Sequence, residues 1–272
     1  MPPPGLSRYG AEGRHRKGTS WPAPLSPRTR SLSAATSEAG PATETDRRRS
    51  PRPCLASSPS ALRAATVPAE VSLQITHHDV VRRGKRLVSA RQEFHIACDG
   101  AELATAVVDF SCHSPAVYRR LRGEYSDLRL ANARKLPLPE AVAPQLVARD
   151  RARDVVLSPT GRPDRWQLRV DTSHPVLFDH PVDHAPGMLM IEAARQAAQT
   201  ATPGFALPVT MECSFERYAE MDAPSWVQAR TTAHGDDGSR QVEVGIEQHG
   251  RPVLAARITS LPTRTDASLR TN

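Results

Sequence analysis

Between His174 and Ala198 the chain reads HPVLFDHPVDHAPGMLMIEAARQAA, three histidines and two aspartates ahead of a mostly apolar run. Imidazole titrates near neutrality, so His180 and His184 are the natural general bases, and Asp179 and Asp183 stand where they can orient them. A helix is predicted from Gly187 to about Ala201, opened by Pro186 and closed near Pro203 and Gly204. Its start at Gly187 and Met188 offers free backbone N–H groups at the positive end of the helix dipole, an oxyanion site, and Gly187 lets a carbonyl approach closely. Along the helix Glu192, Arg195, Gln196 and Gln199 recur at i, i+3, i+4 and i+7, one polar stripe on an apolar cylinder. Such a stripe is either the wet face of a surface helix or the lining of a cleft beside a buried one; the apolar remainder favours burial. Desolvated there, Glu192 is expected to hold a raised pKa as a general acid or base, unless it forms only an ion pair with Arg195. Arg195 pairs with Glu192 or meets an anionic acceptor, its planar fork suiting phosphate. Arg195, Gln196 and Asp183 are the candidate substrate-binding groups. Pro181 and Pro186 break the helix that an i, i+4 His pair would need for a metal, so neither metal nor cofactor is expected.

Strands must hold this segment in place. Val71, Leu73 and Ile75 alternate with polar neighbours, and Leu87 to Ala97 and Leu103 to Phe110 form two more strands joined by a Cys98-Asp99-Gly100 turn. Ser114 and Pro115 open a short helix running through Tyr118 and Leu121 to Gly123. Pro137, Pro139 and Pro144 mark residues 124–150 as a linker. Val155 to Leu157 is a strand, with a turn at Pro159-Thr160-Gly161 and a further strand from Trp166 to Val170. After the helix come Val209 to Phe215, Trp226 to Thr232, Gln241 to Glu247 and Val253 to Ser260. A repeat emerges. Glu93 to Ile96, Gly100 and Leu103-Ala104 match Glu243 to Ile246, Gly250 and Val253-Leu254 at a constant offset of 150. The strand at Leu73-Gln74-Ile75 answers Val227-Gln228-Ala229. Residues 67–123 are therefore expected to be a partial first unit without its helix, 151–262 a complete second unit, and 263–272 a tail.

Composition bounds the rest. The 272 residues carry a net charge of +7, with 25 prolines and only 4% aromatics. Residues 1–66 hold 11 Lys and Arg against 4 Asp and Glu, while the remainder balances at 25 of each. The first stretch also has 10 prolines, 16 Ser or Thr and no apolar period, so a disordered basic tail is expected. Because the folded part is neutral, nucleic-acid binding is not expected. No run approaches 18 apolar residues, and the residues after Met1 lack the apolar core of a secretory signal. A cytoplasmic protein without a membrane span is the expectation.

The long motif at 174–198, together with FSCHSPAVYRRLRG at 110–123 and CSFERYAEMDAP at 213–224, resembles the A-factor biosynthesis (AfsA-type) hotdog family of actinomycetes. The resemblance covers about residues 67–261. It implies an α+β tandem hotdog fold, each unit an antiparallel sheet wrapped round a helix, the first repeat here being incomplete. It also implies γ-butyrolactone autoregulator biosynthesis, a β-ketoacyl group passing from acyl carrier protein to the hydroxyl of dihydroxyacetone phosphate. His180, His184 and Glu192 would then be catalytic. PGMLMIEA is similar to the β-hydroxyacyl carrier-protein dehydratases as well; Glu192 falls at their acid position, but their His falls at Phe178, with His180 two residues later. The alternatives are a non-catalytic hotdog remnant binding acyl ligands or a partner, and a hotdog thioesterase or dehydratase. An incomplete first unit would leave a sheet edge and an apolar face that homodimerisation can cover.

Overall fold

A computed structural model of the chain describes residues 55–57, 70–202 and 204–262. The rest of the expected basic tail, and the tail from residue 263, lie outside the described residues. Strands β1 (Leu55–Ser57), β2 (Val71–Arg83), β3 (Arg86–Cys98), β4 (Ala101–Ser111), β5 (Leu157–Arg162), β6 (Arg165–Leu168), β7 (Ala206–Phe215), β8 (Ser225–His234), β9 (Arg240–Gln248) and β10 (Arg251–Pro262) form one sheet. Its order is β2-β3-β4-β1-β7-β10-β9-β8-β6-β5, and every neighbouring pair is antiparallel. The short β1 bridges two half-sheets by pairing its backbone with β4 on one side and β7 on the other.

Among the described residues three α-helices interrupt the strands: α1 (Pro115–Arg122), α2 (Leu128–Arg134) and α3 (Gly187–Thr200). The expected signals place α1: Ser114 caps it by accepting from the Val117 N–H, Pro115 opens it, and Gly123 ends it at a positive φ of 56°. In the stretch expected to be a linker, Asp127 caps α2 through the N–H groups of Arg129 and Leu130, a cap signal the prolines that follow had masked. The turn expected at Pro159-Thr160-Gly161 lies instead at residues 163–164. Gly161 has φ 75° and sits inside β5, where the register with β6 shifts between Pro159 and Arg162: the glycine accommodates a bulge, and Pro163 begins the reversal.

The helix α3 is the hub of the core. Leu189, Met190, Ala193, Ala194, Ala197 and Ala198 are buried on it, against Val227, Val244, Ile246, Leu254 and Ile258 of the sheet. The four alanines keep the helix surface flat, so the strands can approach closely. Even the polar stripe is largely enclosed. Gln196 is fully buried and Gln199 nearly so, which excludes the ordinary wet face.

Candidate active site

The loop before α3 carries Asp183 and His184, both buried. His184 Nδ1 lies 2.5 Å from Asp183 Oδ1, while its Nε2 makes no hydrogen bond to a described residue. Three other segments converge on this pair. From α1, the Tyr118 hydroxyl donates to Asp183 at 2.7 Å from either carboxylate oxygen, and Arg122 places Nε 3.5 Å from Oδ2. From the segment after β7, Glu220 takes both Arg122 Nη groups, one of them at 2.8 Å. The Tyr218 ring stacks under the Arg122 guanidinium at 4.3 Å and meets the His184 ring edge-on at 4.7 Å. Gln248 on β9 holds Glu220 in position by accepting from its N–H and donating to its carbonyl, each at 2.8 Å.

Electrostatics follow from this packing. Burial pushes the Asp183 carboxyl up, but the hydrogen bonds from His184 and Tyr118 and the charges of His184 and Arg122 outweigh it and hold the group below the usual carboxylate range. Burial, reinforced by the same carboxylate, drives the Tyr118 hydroxyl well above the usual phenol range, so it stays a donor. Burial lowers the affinity of Arg122 for its proton, but Glu220 and Asp183 more than restore it, and the guanidinium stays charged. Asp183 therefore stays ionised and fixes the His184 ring so that, with the proton on Nδ1, Nε2 is the basic atom. Expected both among the substrate-binding groups and as an orienter of the histidines, Asp183 has its carboxylate engaged by Tyr118, His184 and Arg122.

Three residues on, α3 begins. Its N-cap is Pro186, which has no side chain able to cap, so the first-turn N–H groups, those of Gly187 and Met188 included, have no side-chain acceptor. A Cβ on Gly187 would stand 3.4 Å from the Phe215 ring, and Met188 is 62% exposed. His180 is elsewhere in character: its side chain is 60% exposed and, among the described residues, its one polar contact is with its neighbour Asp179, at 2.6 Å.

A second cluster lies along the α3 stripe. Glu192 accepts from Arg195 Nε at 2.8 Å, from Arg149 Nη2 at 2.6 Å and from Gln196 Nε2 at 2.6 Å. The raised pKa expected for Glu192 is not found. Burial does push it up, but Arg195 by hydrogen bond and charge, then Arg149 by charge and Gln196 by hydrogen bond, pull it below the usual range. Gln196, expected to bind substrate, is fully buried and holds the chain around Val156 instead: its Oε1 accepts from the Val156 N–H and its Nε2 donates to the Asp154 carbonyl.

The sequence reading missed Tyr118, Arg122, Arg149, Tyr218 and Glu220. Four of them sit in the two blocks at 110–123 and 213–224 that carried part of the family resemblance, so the signal was present. Arg149 had none.

An antiparallel sheet curled round one buried helix, with a His–Asp pair just ahead of the helix and an acid on it, is a hotdog-type protein. Residues 130–264 match the A-factor biosynthesis hotdog domain. Curated relatives named 2-oxo-3-(phosphooxy)propyl 3-oxoalkanoate synthase are similar to it. One from Streptomyces virginiae is 48% identical over 192 residues, 70% of this chain and 64% of the relative. One from Streptomyces coelicolor is 38% identical over 192 residues, 70% and 60% respectively. The chain thus spans less than two thirds of the length of these relatives. Among solved structures, a thioesterase complexed with coenzyme A and Zn from Thermus thermophilus shares 16% identity at a TM-score of 0.31, covering 38% of this chain and 86% of that one. A tesB protein of Mycobacterium avium subs paratuberculosis shares 14% at 0.37, covering 70% and 71%. Both are too distant to bear on chemistry.

Proposed function

We propose that this chain catalyses the transfer of a 3-oxoacyl group from an acyl carrier thioester to the primary hydroxyl of dihydroxyacetone phosphate, toward a γ-butyrolactone autoregulator. The observation that carries it is the buried Asp183–His184 pair, Nε2 unengaged, three residues ahead of an uncapped helix start, in a chain 48% identical to a synthase of such an ester. His184 Nε2 accepts the hydroxyl proton as the oxygen attacks the thioester carbonyl. Asp183 stabilises the imidazolium so formed. The N–H groups at Gly187 and Met188 receive the oxyanion. Collapse expels the thiolate, which takes the proton from His184, giving the ester and a free thiol. His180, exposed and apart from this cluster, plays no part in these steps, and Glu192, held ionised between two arginines, arranges them rather than carrying a proton.

In the same proposal residues 67–123 are a partial first hotdog unit, 124–150 connect it to the complete unit at 151–262, a second copy covers the open first-unit face, and the enzyme works in the cytoplasm. A single monomeric elution peak would overturn the dimer.

The test is incubation of the purified full chain with a 3-oxoacyl carrier thioester and dihydroxyacetone phosphate, with the ester followed by mass spectrometry. Turnover is expected. His184→Ala should cut it by about 100-fold or more, the scale of a lost general base, and His180→Ala should leave it unchanged. Folded protein without ester formation would favour a non-catalytic acyl-binding role, and free acid or enoyl product a thioesterase or dehydratase.

A further inference from the structure

The α3 stripe holds an arrangement that acid–base chemistry does not use. Arg149 comes from the segment between α2 and β5, just after a short 3-10 turn at Pro144–Val147. Ala148 closes that turn in the left-handed region at φ 53°, a conformation uncommon for a non-glycine residue. The turn is tied back by the Arg149 N–H to the Pro144 carbonyl, and the Val147 carbonyl accepts from Arg195 Nη2 at 3.0 Å. So the same turn that delivers Arg149 also anchors Arg195. Both guanidiniums then grip one carboxylate. Arg149 uses Nε and Nη2 on Glu192 Oε1; Arg195 uses Nε on Oε2 and Nη2 on Oε1.

This leaves Nη1 of each arginine without a hydrogen bond to a described residue, and neither atom is among the fully buried unsatisfied ones. One ionised carboxylate between two guanidiniums leaves one unit of positive charge. Arg149 is 36% exposed at its side chain, Arg195 17%. Ala148, next to Arg149 in the chain, and Gln199, one turn beyond Arg195, line a cleft of about 760 Å³ with Leu146, Trp166 and Phe205. Two planar guanidiniums side by side, each with Nη1 to spare and Arg149 36% exposed, suit a phosphate group.

We propose that Arg149 and Arg195 form a phosphate-binding site, arrayed by Glu192, that takes the phosphomonoester of the acceptor substrate. This rests on the synthase function above for the identity of the acceptor, while the anion site itself stands on the geometry. Glu192 is then a positioning residue, and Arg149 determines specificity for a phosphorylated over an unphosphorylated acceptor.

Calorimetric titration of the full chain tests it without turnover. Dihydroxyacetone phosphate should bind, dihydroxyacetone should bind at least about 10-fold more weakly, and Arg149→Ala should erase most of that difference, as loss of a charge-assisted contact does. Arg149→Lys, which keeps the charge but not the fork, should fall between. Arg251→Ala, an exposed arginine at the start of β10, is the control and should bind as the wild type does. Binding unchanged in a folded Arg149→Ala variant overturns the site, as does absence of any preference for the phosphorylated compound. An Arg149-dependent signal from coenzyme A but not from dihydroxyacetone phosphate assigns the phosphate to the acyl donor and overturns the acceptor assignment. Phosphate-dependent binding without ester formation keeps the site and rejects the synthase function; ester formation with Arg149-independent binding does the reverse.

Discussion

The hairpin β3–β4 and the hairpin β9–β10 are built alike at an offset of 150, and they live in different surroundings. Asp99 and Gly100 turn the first at φ 49° and 80°; His249 and Gly250 turn the second at 53° and 70°. Ile96 faces Ala104 and Phe94 faces Ala106, as Ile246 faces Leu254 and Val244 faces Ala256. Each hairpin slips register beside the turn, bulging Leu103 in one and Val253 in the other. The third strands agree as well: Leu73 lies opposite Ile96 just as Val227 lies opposite Ile246. Yet Leu73 is 56% exposed and Val227 is at 0%. The difference is α3, which covers β8 to β10, whereas no described helix packs on the face of β2 to β4. Strand register and turn type are therefore local properties, carried by alternation and by positive-φ turn residues. Burial belongs to whatever lies across the sheet.

A paired truncation should separate the two hairpins by the widest margin. Ile246→Ala removes a side chain that is 1% exposed and packed beneath α3, and should cost about 3–4 kcal/mol in denaturant unfolding. Ile96→Ala, its counterpart on a half-covered face, should cost about 1 kcal/mol. Equal losses would mean that something covers the first face in solution.

Next in size is the charge network that only the helix-bearing half possesses. Glu192→Gln leaves Arg149 and Arg195 without their anion, and because Arg149 is 36% exposed and partly screened about 1–2 kcal/mol should be lost. The pH dependence has a definite sign. The folded pKa values of Glu192 and Asp183 lie below their unfolded ones, so their contribution is complete above the ordinary carboxylate pKa of about 4 and fades as the pH falls through it toward the folded values. The acid limb of the stability curve should accordingly be shallower in Glu192→Gln than in the parent, measured by urea midpoints from pH 7 downward. An unchanged limb would remove Glu192 from the network.

The smallest effect sharpens the likeness rather than the contrast. A Cβ at Gly100 or Gly250 meets nothing within 4 Å, so only the positive φ resists substitution. Gly100→Ala and Gly250→Ala should each cost about 1 kcal/mol, and by similar amounts. A large difference between them would show that the turns are not equivalent.

Much of this was legible in the residues. Alternation placed every strand of the two hairpins, the Ser114, Pro115 and Gly123 signals bounded α1, and the segment at 174–198 singled out His184, Asp183, Glu192 and Arg195, because period, caps and chemical type are properties of neighbours in the chain. The β5–β6 turn was misplaced since a glycine inside a strand signals a bulge and a turn alike. The direction of the Glu192 pKa was not readable either. Burial raises it and charge lowers it, and the deciding charge, Arg149, arrives from 43 residues away. Tyr118, Arg122, Tyr218 and Glu220 reached His184 by the same route, through the folding of distant segments onto one loop. Local pattern fixed most of the elements and the reactive residue types, though not α2, β1 or the β5–β6 turn. Which of those residues meet, and hence which carboxylates are held ionised and by which partners, was decided by tertiary structure, because desolvation and Coulomb energy depend on distances in space that spacing along the chain does not encode.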